Sequence, residues 1–184
     1  MLKNAGIDFV VQSPKTDESI KKNEPARKMV ERLSYEKAIA ITQTISNNHF
    51  IVIAADTTVV SPKNEIIGKP ANLSQAKMML EKILGKTHHV LTAYTIIEVK
   101  NNKPIKKITR TIETLVKMRS LDSLSIRHYL SLGESLDKAG SYAAQGHGMN
   151  LIESISGSYT NVIGLPMSEL IQDLRKKFKY PCPF

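Results

Sequence analysis

The run Phe50-Ile51-Val52-Ile53-Ala54-Ala55 constrains this chain more than any other segment. Six successive apolar residues, rich in β-branched side chains, predict a strand covered on both faces. The run is the longest apolar stretch present, and it falls far short of the roughly 20 residues that cross a bilayer. A strand covered on both faces needs helices packed against its sheet, which predicts a layered α/β domain. The 184 residues suffice for one domain, or for two small lobes sharing a core. A chain of this size buries about 70% of its unfolded surface, so it needs no disulfide or metal staple.

The flanking pattern supports that class. Pro25 suits a first helical turn, and Met29, Leu33, Lys37, Ala40, Ile41, Thr44 and Ile45 follow near-helical spacing up to Asn47-Asn48. Thr57 to Val60 extends the strand, Ser61 to Glu65 reads as a turn, and Ile66-Ile67 as a return strand. Asn72 with Gln75 opens a helix that Gly85 ends. Val90 to Val99 and Ile105 to Met118 read as strands joined around Asn101-Asn102-Lys103, a hairpin. Ser123 to Leu132 is a short helix closed by Gly133, and Pro166 to Phe178 is an amphipathic one. Between them, Gly133 to Gly164 is Gly-rich with little periodicity. This order predicts helices flanking a mixed sheet.

Charge and composition exclude several classes. With 41% hydrophobic and 23% charged residues, the chain is neither a disordered tail nor a coiled coil. The net charge of +9 suggests a polyanionic partner, or a solvated lysine-rich surface. Tryptophan is absent and aromatics are 5%, so base-stacking platforms are scarce and no specific nucleic-acid partner is expected. The N-terminus has no apolar signal region and Cys182 is alone, so cytoplasm is the expected compartment and no membrane association is expected. Gly85-Lys86-Thr87 lacks the first glycine of a phosphate-binding loop, because Leu80 occupies that place. The five histidines never stand at metal-ligand helical spacing.

Three segments carry polar residues that folding alone does not require. Asp56 ends the buried strand, where α/β sheets place ligand-facing residues. A carboxylate there can bind a divalent cation or accept a proton from water; an Asp capping a strand end fits the position equally. Lys69, between Gly68 and Pro70, is either a point charge for phosphate or a surface-turn lysine. The stretch Asp137 to Gly146, followed by Gly157 to Pro166, lets backbone approach a ligand closely, or else forms tight turns. Within it, Gln145 carries an amide that can read a base edge with donor and acceptor together.

Taken in order, these residues form a pattern. Ala55-Asp56-Thr57-x-Val59, Gly68-Lys69-Pro70 and Ala76-x-x-Met79-Leu80-x-x-x-x-Gly85-x-x-His88-x-Val90-x-Thr92-Ala93 resemble the Maf family. So do Gly133-Glu134-x-x-Asp137-Lys138-Ala139-Gly140-x-Tyr142-x-x-Gln145-Gly146, Gly157-Ser158-Tyr159 and Gly164-Leu165-Pro166. Gly6-Ile7-x-Phe9, Asp17-Glu18 and Arg32-Leu33-x-x-x-Lys37-Ala38 also fit.

The resemblance implies a single two-lobed domain over residues 1–184, similar to inosine-triphosphatase folds, with a mixed sheet and a cleft between the lobes. It implies hydrolysis of a nucleoside triphosphate to the monophosphate and pyrophosphate, with Mg²⁺ or Mn²⁺. Asp56 falls on the proton-acceptor position and, with Glu18, on the metal side. Lys37 and Lys69 fall near the phosphates, Lys138 among the substrate-binding residues, and Thr57 and Gln145 where the base is chosen. Asp-Thr together with Gln-Gly resembles the subgroup acting on dTTP and UTP, whereas Asp-Gln with Glu-Gly resembles the one acting on 7-methyl-GTP. The family also suggests a homodimer. Its Ser-x-Ser-Pro-Arg-Arg phosphate loop lies upstream of the segment matching Gly6-Ile7. The sequence starts instead in the following helix, at Met1-Leu2-Lys3-Asn4, so a fold without the first strand and that loop is expected. The alternative function is an inactive remnant that binds nucleotide or nucleic acid.

Overall fold

The computed structural model describes residues 1–182. Its helices and strands are α1 (Ala26–Thr42), β1 (His49–Val60), β2 (Ile66–Ile67), α2 (Leu73–Ile83), β3 (Thr87–Lys100) and β4 (Lys103–Met118). These are followed by α3 (Ser123–Ser131), β5 (Ile152–Ser156), α4 (Tyr159–Ile163) and α5 (Met167–Phe178). The expected N-terminal helix is only a 3₁₀ turn, Lys3–Ala5, ended by Gly6 in the left-handed region at φ 68°.

Local chemistry explains the element ends. Pro25 stands at the N-cap of α1. The Asn72 carboxamide accepts from the Gln75 N–H at 2.9 Å, while Gln75 accepts from Ala71 N at 2.6 Å. These reciprocal bonds satisfy two N–H groups that a helix start leaves open. Asn101 and Asn102 carry φ of 51° and 59°, so β3 and β4 are joined by a two-residue turn with both central residues left-handed. All the interior residues of β3 from Val90 to Ile97 are buried, which marks it as a central strand.

The five strands form one sheet in the order β2-β1-β3-β4-β5. The chain is α/β, but the mixed sheet expected from the sequence is an antiparallel one. β1 pairs antiparallel with β2 through Val59 and Val60, and β4 with β5 through Leu115 to Met118. The short strand β2 inverts the chain ahead of α2, so the crossover delivers β3 antiparallel to β1. The sequence pattern misses β5 and the short helix α4, both within the Gly-rich stretch; the burial of β5 does not alternate.

The chain divides into two compact units. The first comprises Met1–Asp56, Thr92–Thr111 and the residues from Gly164 onward. In it α1 covers the sheet through Ala38, which packs with Val52, Ile97 and Val99. Tyr94 on β3 donates to the buried Asp173 of α5 at 2.6 Å, tying that helix down. The second unit comprises Thr57–Leu91 and Ile112–Ile163. Its core gathers Val59 and Ile67 with Ala76, Leu80 and Ile83 of α2, and with Ile126, Tyr129 and Leu130 of α3.

Candidate active site

In the first unit, β1 alternates. Val52 belongs to the core beneath α1 and Ala54 packs against it; Asp56 continues that row by the period of two. Lys37 sits one helical turn beyond the buried Leu33 on α1. Its side chain is 16% exposed, so most of the stem is covered and the ammonium is fixed. Lys37 Nζ donates to Asp56 Oδ1 at 2.7 Å and pairs with Glu18 Oε1 at 2.8 Å. Burial by itself pulls the Lys37 pKa down, but the hydrogen bonds from Asp56 and Glu18 outweigh it and hold it above 10.5. The structure therefore brings together three residues drawn from an irregular segment, a helix and a strand.

Glu18 lies outside any helix or strand, and Arg32 explains why its segment keeps its place. The Arg32 guanidinium donates to both oxygens of Glu24 at 2.7 Å, to Glu36 at 3.0 Å and to the Ser19 carbonyl at 3.1 Å. A planar fork of five donors is suited to fastening a strap to a helix in this way. The motif reading includes Arg32 but gives it no role; its partners lie up to 13 residues away, beyond the reach of local pattern.

Asp56 and Glu18 form a donor set of two carboxylates converging on one cationic position. Among the described residues, no group of three His, Cys, Asp or Glu is gathered as a metal cage. Two carboxylates suit Mg²⁺, which takes one or two from protein and completes its shell with phosphate oxygens and water. The donor set therefore fits a hard cation that arrives with a phosphate ligand.

In the second unit, Thr57 is half-buried, and Val59 two residues on belongs to the core. Gly140 packs against Val59: a Cβ on Gly140 would meet Val59 Cγ2 at 2.9 Å, and its φ is 74°. Its N–H donates to the Gly68 carbonyl at 3.1 Å. This bond joins the Gly68-Lys69-Pro70 turn to the Lys138-Ala139-Gly140 turn, each of which carries one of the predicted lysines. Asp137 pairs with Lys138, and its carboxyl is held below its usual range by that hydrogen bond and, least of the causes, by the charge of Lys69. Both lysines are exposed.

Gln145 belongs to a different set of contacts. Its backbone is extended, at φ −119° and ψ 163°, so Tyr142 and Ala144 turn inward while Gln145 is exposed. The loop is held at Ala143, whose N–H donates to Tyr129 Oη at 3.3 Å, and at Ala144, whose carbonyl accepts from Tyr159 Oη at 3.2 Å. Below it, His88 Nε2 and Tyr142 Oη share a buried hydrogen bond of 2.8 Å. Burial, with a smaller push from His89, lowers the His88 pKa to about 4. His89 Nδ1 lies 2.7 Å from Glu113 Oε1, and the Gly85 N–H donates to the Arg119 carbonyl.

Comparison with known proteins gives a consistent result. The family described as "Maf-like protein" matches residues 1–177. A "dTTP/UTP pyrophosphatase" of Clostridioides difficile (strain 630) is 38% identical over 178 residues, covering 97% of this chain and 88% of the relative. One from Aromatoleum aromaticum is 40% identical over 168 residues, covering 90% and 78%. One from Hahella chejuensis is 35% identical over 177 residues, covering 96% and 85%.

Proposed function

The chain belongs to the Maf family, and from that premise we propose that it is a nucleoside triphosphate pyrophosphatase acting on dTTP and UTP. The observation that carries the reading is the Lys37-centred cluster, where the Asp56 carboxylate lies 2.7 Å from a covered ammonium; Asp56 sits inside β1, four residues before its end, and not at the strand end expected from the sequence. The name its relatives carry, dTTP/UTP pyrophosphatase, supports the substrate class.

Asp56 accepts a proton from a water molecule. The water oxygen bonds to the α-phosphorus, the bond from that phosphorus to the bridging oxygen breaks, and pyrophosphate leaves. Lys37 holds the Asp56 carboxylate in place and presents positive charge to the phosphates, and Lys69 and Lys138 are further cations for the substrate. Mg²⁺ or Mn²⁺, held by Asp56 and Glu18, would supply charge neutralisation at the phosphate oxygens. Thr57 and Gln145 select the base. A pyrimidine with an N–H flanked by carbonyls matches the acceptor and donors of a glutamine amide. We also infer a cytoplasmic, homodimeric protein, as the family resemblance suggests; separately, no helix among the described residues is long and apolar enough to cross a membrane.

The test is pyrophosphate release from UTP, dTTP, ATP, GTP and 7-methyl-GTP with either metal. UTP and dTTP should dominate. Equal turnover of 7-methyl-GTP would remove the pyrimidine assignment, and release from none of the five would remove the enzyme.

A further inference from the structure

Gln145 stands at a change of backbone conformation. Before it the chain is extended; after it Gly146, at φ 69°, turns into the 3₁₀ segment Gly146–Leu151. Glu134 meets that turn from 13 and 14 residues before the N–H groups it contacts. Its Oε1 accepts from His147 N at 3.0 Å and its Oε2 from Gly148 N at 3.0 Å. Glu134 itself directly follows Gly133, the residue at φ 80° that closes α3, so the carboxylate is carried by the end of a packed helix.

Only an ionised carboxyl group offers two acceptor oxygens to two neighbouring N–H groups. The turn packs closely against Glu134 and Ala143. A Cβ on Gly146 would come within 2.4 Å of Glu134 Oε1, and one on Gly148 within 2.2 Å of the Ala143 carbonyl oxygen. The two bonds themselves lower the Glu134 pKa, the one to His147 most, so the group stays ionised through the neutral range. On the other side of Gln145, the bonds from Ala143 and to Ala144 are made by neutral tyrosines. The backbone carrying Gln145 is thus held at both ends, and the charged anchor is Glu134.

We propose that Glu134 is the positioning residue for Gln145, and thereby a determinant of base selectivity through two backbone hydrogen bonds rather than through contact with substrate. The inference rests on Gln145 reading the base. A side chain aimed from a misplaced backbone loses its two-point contact with the base edge, and a shift of about 1 Å can cost on the order of 100-fold.

The experiment compares kcat/KM for UTP with that for GTP, alongside melting temperature, in Gln145→Ala, Glu134→Gln and the double variant. Glu134→Gln keeps the shape and replaces one acceptor by an NH₂ that faces an N–H. The UTP preference should fall by about 10- to 100-fold in Glu134→Gln, mainly through KM for UTP. The double variant should be no less selective than Gln145→Ala. A lowered melting temperature with the wild-type preference retained would leave Glu134 a folding residue and overturn the proposal. If Gln145→Ala itself keeps the preference, the base-reading premise fails, which is a different result. Should Glu134→Gln not fold, Glu134→Asp, one bond shorter with the charge kept, takes its place with the same expectation and the same overturning result.

Discussion

The two units hold their candidate residues by different means. In the first, Lys37, Asp56 and Glu18 hold one another: the fixing contacts are charge-assisted side-chain bonds, anchored on α1 and β1. In the second, Gln145 takes part through its backbone, set by Glu134, Tyr129 and Tyr159 acting on neighbouring residues. The difference matches the tasks assigned to each. Proton transfer and phosphate neutralisation need charges at fixed separations, which regular elements provide. Base selection needs a side chain presented from a set angle, which a pinned loop provides at less cost in stability. A substitution in the first set should therefore remove turnover, and one in the second should change which substrate is preferred.

The largest effect expected is at Asp56. Asp56→Asn should reduce turnover of UTP by about 10²- to 10⁴-fold, the scale of a lost general base, and leave melting little changed. Retained turnover would break the assignment of chemistry to the first unit.

Next is acid sensitivity in the second unit. His88 is fully buried with a pKa lowered from 6.5 to about 4. Below pH 6.5 the unfolded chain binds a proton that the folded chain refuses until about pH 4. Stability therefore falls as the pH drops through this window, by about 3 kcal/mol in all from this residue. Urea unfolding at several pH values should show that slope, and His88→Asn should flatten it. An unchanged slope would remove His88 as its source.

Lys37→Met should lower kcat/KM by about 100-fold by leaving Asp56 and Glu18 facing each other without their shared cation. Because the Lys37 pKa is raised, its bond to Asp56 is full below pH 10.5 and lost only as the pH rises through the higher folded value. The wild-type protein should show no alkaline loss attributable to Lys37 between pH 7 and 9. Lys69→Ala should be milder, about 10-fold in KM, and its effect should shrink with added salt because this lysine is exposed. Loss of turnover at Lys69 equal to that at Lys37 would blur the distinction between covered and exposed charge.

Much of this was legible in the residues. Apolar periodicity and end signals such as Pro25, Asn72 and Gly133 mark helices and strands, because both are local. Asn101-Asn102 marks its hairpin for the same reason. Asp56 is legible as the polar residue that breaks an apolar run. Glu134 and Arg32 carry no comparable signal: their partners are 13 or 14 and up to 13 residues away, and nothing nearby in the chain announces a carboxylate that will meet two backbone N–H groups. Strand β5 escapes for a related reason, since its pairing with β4 arises from position at the sheet edge rather than from its own alternation. The antiparallel direction of β3 depends on a two-residue strand, β2, whose effect on topology is larger than its length suggests.

The most direct test of the central claim is hydrolysis of UTP in ¹⁸O-labelled water with Mg²⁺, followed by mass analysis of both products. Attack of an Asp56-activated water on the α-phosphorus predicts one ¹⁸O in the monophosphate and none in the pyrophosphate. Label in the pyrophosphate, or release of inorganic phosphate in its place, would contradict it.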